Sequence, residues 1–308
     1  MCKKINIFLP CLLLFYVAAS FGMSAFLYAS GVNLPFWASC VISQSFLLLP
    51  CLIYVLVMRI HVVKCIPYRK MKPLDMLLCV LFGYALIPVV MLLNNITMLF
   101  STNHLDSSSS VLASYPFLVQ ILLIAVLPPL VEEFAFRGLF YHSYRKNGIL
   151  GAALMSGLVF GIIHLNFNQF CYAFMLGVFL AVLVEATGSI WASVLAHFAI
   201  NTYSISEMKI LSLIPSAQKM VEEAGTIADY PFPAVVAQLA VLAVLAAVFL
   251  VLAFLLFKVL AKRNGRWEYI TDNLKKGVRA QNGERFITLP AVAAIIAAAA
   301  YMVWIEVM

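Results

Sequence analysis

Six residues near the middle of this sequence can move protons or stabilise charge, and each lies in an otherwise apolar stretch: Glu132, Glu133, Arg137, His164, His197 and Asn201. An ionisable group at membrane depth is costly, so its presence there marks a functional candidate. Glu133 and Arg137 are spaced i,i+4 with the acid first, the favourable order for an ion pair on one helical face. Glu132 projects about 100° away from Glu133 and is free to face something else. His197 and Asn201 share a face by the same spacing, as do Phe160 and His164.

A carboxylate, two imidazoles and an amide converging in a dry cavity make a hydrolytic kit. Glu132, joined through a water to His164, can act as general base on that water. His197 and Asn201 can donate hydrogen bonds to the oxyanion of a tetrahedral intermediate, which needs donors fixed before the charge forms. The same Glu132, His164 and His197 could instead hold a divalent metal that activates the water itself. The cofactor expectation is therefore zinc or none. Each residue also has a plainer reading. Glu133 and Arg137 serve better as a structural or orienting pair than as chemistry, Glu132 could be a second acid sharing Arg137, and a lone His is usually a satisfied core residue. Asn201 could simply join helices by hydrogen bonding. Glu185 reads as an interfacial acid near a helix end capped by Gly188, and Phe160, Phe134, Phe136 and Tyr141 read as packing.

The elements that must position these groups are membrane helices. Of the 308 residues, 64% are hydrophobic and 11% charged, with a mean hydropathy of +1.02. A soluble domain carries roughly a quarter of its residues as Asp, Glu, Lys and Arg, so lipid must be the main solvent. The expected fold is all-α, a polytopic transmembrane helical bundle of eight to nine spans, since a span needs about 20 apolar residues. Candidate spans are 5–29, 35–58, 75–100, 116–144, 148–165, 169–186, 188–205, 233–260 and 287–307. The fourth contains Pro128-Pro129 and is expected to kink there or to end in a cytoplasmic extension. The apolar run after Lys3 and Lys4 is too long for a signal peptide and reads as an uncleaved first span. Counted from the turn near Asn147, Glu132 lies roughly 22 Å back and His164 roughly 26 Å forward; from Gly188, His197 and Asn201 stand roughly 14 and 20 Å up. All four can meet in one layer.

With the N-terminus cytoplasmic, 17 Lys and Arg fall on the inner side and only Lys209 and Lys219 outside, while Arg137 lies within a span. The positive-inside rule then gives an N-in, multi-pass protein with its C-terminus outside, expected in a bacterial plasma membrane. The net charge of +7 sits in a few loops and is explained by the membrane rather than by nucleic acid. Ser107–Ser110 reads as a flexible linker, and the longest hydrophilic stretches are 206–232 and 262–286. The seven Cys, with no CxxC pair, read as small buried hydrophobes rather than disulfides or a zinc site.

The three motifs, Glu132-Glu133…Arg137, Phe160…His164 and His197…Asn201, appear in an order that resembles the CPBP family of intramembrane endopeptidases, also called the CAAX prenyl protease or ABI family. Its pattern is EExxxR, FxxxH and HxxxN or HxxxB on successive helices. The resemblance covers about 116–205 and implies a catalytic core there, flanked by N-terminal helices in 1–115. The remainder, 206–308, then holds an outer loop, a helix, a basic cytoplasmic segment and a last helix. By resemblance Glu132 is the catalytic acid, His164 its partner on the water, and His197 and Asn201 the oxyanion donors. Glu133 and Arg137 are structural or orienting. The family has been described both as metalloproteases and as metal-free glutamate proteases.

The leading expectation is an intramembrane endopeptidase acting on a membrane-associated substrate, of CAAX type if the family name carries over. Its partners are membrane lipid and a protein or peptide at the membrane, with no nucleic acid. The rival from another class is a non-catalytic immunity or scaffold protein of the same fold. A transporter would use the buried Glu and His as a proton relay, but the sequence lacks the repeats or paired broken helices that such a protein shows.

Overall fold

The computed structural model of the chain describes residues 2–101, 111–214, 230–277 and 285–307. The linker Ser107–Ser110, His104, Lys219, Arg279, most of the 206–232 loop and part of the 262–286 segment lie outside the described residues. In lipid every backbone polar group must be satisfied within the chain, which leaves helices as the solution for so apolar a sequence. Among the described residues there is accordingly no strand, and the protein is a polytopic helical bundle.

The principal helices are α1 (Cys2–Ser30), α2 (Phe36–Val57), α3 (Pro73–Thr97), α4 (Phe117–Asn147), α5 (Ile149–Ile162), α6 (Phe167–Thr187), α7 (Ile190–Leu213), α8 (Phe232–Arg263), α9 (Trp267–Lys275) and α10 (Leu289–Val307). All nine expected spans are helical, and seven are long and apolar enough to cross a membrane: α1, α2, α3, α4, α6, α8 and α10. The other two, α5 and α7, build the centre. Helix α5 has 14 residues, eleven of them buried, and at 1.5 Å per residue it covers only about 21 Å, short of a hydrocarbon core of about 30 Å. Helix α7 is long enough but carries His197, Asn201, Thr202 and Ser204 within it.

Contacts between helix ends gather the basic segments at one end of the bundle. There Cys2 Sγ lies 3.6 Å from Ser143 O, and Asn6 Nδ2 donates to Phe286 O at 3.1 Å. At the same end Arg263 pairs with Asp75 at 2.7 Å, joining α8 to the start of α3, and Ser189 Oγ donates to Arg69 O at 2.6 Å. Helix α8 packs chiefly on α3, and α5 on α6. The α5–α6 seam is closed by glycine: a Cβ on Gly177 would stand 2.5 Å from Gly157 Cα. Two bare backbones can therefore approach where side chains would hold them apart.

Helix α4 runs continuously through Pro128-Pro129, from Phe117 to Asn147. The prolines act through hydrogen bonding instead. Ile121–Val126 and Phe134–Tyr141 are π-helical, on either side of the α-helical Leu127–Glu133. The carbonyl of Ile124 would take its donor from residue 128 in an α-helix or 129 in a π-helix, and both are prolines without an N–H.

Candidate active site

Asn201 answers the vacancy those prolines create. Its Nδ2 donates to Ile124 O at 2.9 Å, which ties α7 to the π-helical turn of α4. The amide that the sequence offers as an oxyanion donor thus has one hydrogen committed to the backbone. In the second π-helical stretch Ser156 Oγ donates to Phe136 O at 2.9 Å, and so α5 is fixed to α4 by a similar bond.

The two neighbouring acids of α4 diverge as the helical angle requires. Glu133 is fully buried and accepts from Arg137 Nη1 at 2.9 Å, the expected i,i+4 pair. Arg137 also donates through Nη2 to Gly177 O at 3.2 Å, and its guanidinium lies 4.6 Å from the centroid of Phe160. Burying this pair is tolerable because each charge gains further partners. Glu133 has a second role that the spacing alone did not reveal. His197 Nδ1 sits 2.9 Å from Glu133 Oε1, and His197 Nε2 lies 3.8 Å from Glu132 Oε2. The imidazole therefore stands between the two carboxylates. A carboxylate on one ring nitrogen sets what the other nitrogen can offer.

Glu132 is only partly buried. Gln44 of α2 donates Nε2 to Glu132 Oε1 at 3.4 Å, a residue outside every motif. The sequence signal for it was a lone amide in an apolar run, the same signal that singled out Asn201. Phe160, read as packing, is the aromatic partition of the site: its ring meets His164 edge-on at 5.1 Å and His197 edge-on at 5.7 Å.

His164 lies beyond the end of α5, in the turn to α6, rather than inside a span. Its Nδ1 is 2.7 Å from Phe160 O, so in the tautomer that donates this bond Nε2 is left as an acceptor. The next residue, Leu165, has a φ of 51°, an uncommon left-handed conformation for a residue with a branched side chain. Asn166 then caps α6 by accepting from Gln169 N at 3.0 Å. His164 opens onto a crevice of about 380 Å³ walled by Tyr16, Ser20 and Phe21 of α1 and Tyr301 and Ile305 of α10. Among the described residues no hydrogen bond or ion pair joins Glu132 to His164.

The set Glu132, His164 and His197 does not fit a three-ligand metal centre. Among the described residues no three His, Cys, Asp or Glu side chains are grouped to hold an ion.

Glu185 is more than an interfacial acid. Gly188 does cap α6, with a φ of 68° and its N–H on Val184 O at 2.8 Å. The Glu185 carboxylate, 1% exposed, binds Tyr141 OH at 2.9 Å, Arg145 at 2.5 and 2.9 Å, and Arg266 Nη2 at 2.6 Å.

Comparison with known proteins bears on the same segment. Residues 114–203 match the family described as type II CAAX prenyl endopeptidase Rce1-like. Over 88 residues the chain is 28% identical to the Bacillus subtilis (strain 168) protein named "Putative membrane peptidase YdiL", a stretch that is 28% of this chain. The match spans about a third of that relative, 36% of its length. No solved structure matches the chain. The family segment contains all three motifs in order, and together these findings support the chain as a member of the CPBP family.

Proposed function

We propose that this protein is an intramembrane endopeptidase in which Glu132 and His164 activate a water and His197 answers the charge that forms. The observation that carries this reading is the placement of His197, 2.9 Å from Glu133 and 3.8 Å from Glu132. A purely structural histidine needs one partner; this one presents its second nitrogen to the free acid. The family match supports proteolysis in general terms.

In this mechanism a water sits between Glu132 and the free Nε2 of His164 and donates one hydrogen to each. Glu132 takes its proton as the water oxygen bonds to the peptide carbonyl carbon. His197, held at Nδ1 by Glu133, donates from Nε2 to the oxyanion, with the second amide hydrogen of Asn201 as the other candidate donor. Glu132 then returns the proton to the leaving nitrogen as the C–N bond breaks. Glu133 and Arg137 position His197. The crevice at His164, between α1 and α10, is where a membrane-associated segment would approach, and a CAAX-type substrate is one such segment.

Turnover of a membrane peptide by purified Glu132→Gln tests this. Gln keeps the volume and the bond from Gln44, so the fold should persist while the rate falls by at least about 10²-fold, the share of a general base. His164→Ala should fall similarly, and the double variant little further, because both act on one water. Cleavage by Glu132→Gln at the wild-type rate would overturn the mechanism. Activity abolished by a strong chelator and restored by Zn²⁺ would replace it with the metal version.

A further inference from the structure

The end of the bundle that gathers the basic segments holds a second polar cavity, of about 230 Å³. Arg137, Tyr141, Arg145, Glu185, Gly188 and Arg266 line it, with Cys65 and Pro67 as a wall. Its charges do not balance. Arg145 already satisfies the Glu185 carboxylate through two bonds, and Tyr141 adds a third. Arg266, brought in by the corner between α8 and α9, adds another guanidinium to the same carboxylate and donates to the Glu185 carbonyl as well. Two cations thus share one anion, both guanidiniums remaining partly exposed. On the inner wall the buried Arg137 Nε has no hydrogen-bond partner among the described residues. An excess positive charge lining a cavity at a helix-bundle end is a site for an anion.

The surroundings say which anion. Tyr68 and Trp191, both exposed and with ring centroids 6.2 Å apart, adjoin the cavity through Pro67 and Ile190. Exposed Tyr and Trp mark the headgroup level of a bilayer. Ile190 N donates to Pro67 O at 2.9 Å, so this strap is fixed. On its other side an apolar groove of about 350 Å³ runs between α2, α4 and α7, lined by Leu52, Leu130, Phe134 and Val194. A phosphate-sized basic cavity, an aromatic pair at the boundary and an apolar groove beneath match a phospholipid from head to tail. Basic pockets between membrane helices hold anionic headgroups in this way. We propose that the cavity seats the phosphate of an anionic phospholipid, with an acyl chain in the groove. The proposal does not depend on the peptidase reading.

Full-length protein reconstituted in nanodiscs of mixed phosphatidylglycerol and phosphatidylcholine, then released for native mass spectrometry, provides the test. Wild type should retain phosphatidylglycerol in preference to phosphatidylcholine. Arg266→Gln, which leaves Arg145 on Glu185, should lower that retention by about five-fold, the share of one cation near an anionic lipid. Leu130→Trp, which fills the groove from an exposed position without changing charge, should lower it too and guards against misfolding of the arginine variant. Equal retention of the two lipids by wild type, or retention unchanged in both variants, would overturn the proposal. So would inorganic phosphate alone raising the melting temperature as much as phosphatidylglycerol does, which would assign a free anion. Displacement of the lipid by a peptide with a free C-terminal carboxylate, but not by its amide, would assign the cavity to peptide and overturn it equally.

Discussion

At the scale of single residues, Glu133 and Arg137 are where charge is held most tightly. Both are buried, and Arg137→Ala leaves the Glu133 carboxylate with no cation paired to it on its own helix, His197 and Ser193 being its remaining partners. Removing one member of a buried pair costs about 3–5 kcal/mol. Arg137→Ala should therefore show sharply reduced yield and a lower unfolding temperature in detergent; levels and stability equal to wild type would refute the buried-pair account. The sequence spacing suggests that Glu133→Gln acts mainly on stability. The bond from His197 Nδ1 to Glu133 changes that expectation. Glu133→Gln should lower both stability and the rate of peptide cleavage at saturating substrate, whereas a purely structural acid would lower only the amount of folded protein. Stability-matched kinetics on the well-folded fraction separate the two.

At the scale of elements, α4 and α7 are joined by a bond that exists because of two prolines. Ile124 O lacks both its α-helical and its π-helical donor, and Asn201 supplies one. Asn201→Ala should leave that carbonyl unsatisfied and cost about 1–3 kcal/mol. Pro128→Ala returns an N–H within reach of Ile124 O, so the double variant Asn201→Ala/Pro128→Ala should be destabilised less than Asn201→Ala alone. A double-mutant cycle by thermal or denaturant unfolding reads the coupling. Strictly additive costs would show that the amide is bonded for some other reason. Helix α5 makes the complementary point: by stopping at Ile162 it places His164 in the turn to α6 rather than inside a helix.

At the scale of the whole molecule, successive long helices alternate in direction, so that Lys3, Lys4, Arg69, Arg145, Arg263 and Arg266 belong to segments meeting at one end. We propose that this end is cytoplasmic, because 17 of the 20 Lys and Arg then lie inside. In a background lacking the seven native cysteines, a Cys replacing Lys70 should be inaccessible to a membrane-impermeant reagent in intact cells and reactive after permeabilisation. A Cys replacing Lys209 should react from outside. Labelling at position 70 from outside would reverse the topology, and with it the leaflet from which the proposed lipid is drawn.

Composition and periodicity alone determined that this chain is a helical membrane bundle, because 64% apolar residues cannot be covered by 11% charge in water. The same local information placed Glu133 against Arg137 and turned Glu132 away from both, since helical spacing is a property of a few neighbouring residues. Spacing also allowed Glu132, His164, His197 and Asn201 to meet in one layer. Only the tertiary structure decided what those groups touch. Whether His197 meets Glu133, Glu132 or an empty face depends on how α7 is rotated against α4, and that rotation is set by packing across the interface. The pairing of Asn201 with a carbonyl freed by Pro128-Pro129, the reach of Gln44 from α2, and the capture of Glu185 by Arg145 and Arg266 are likewise contacts between distant segments. A residue type announces that a buried polar group needs a partner; which partner it finds is settled by the helix that packs beside it.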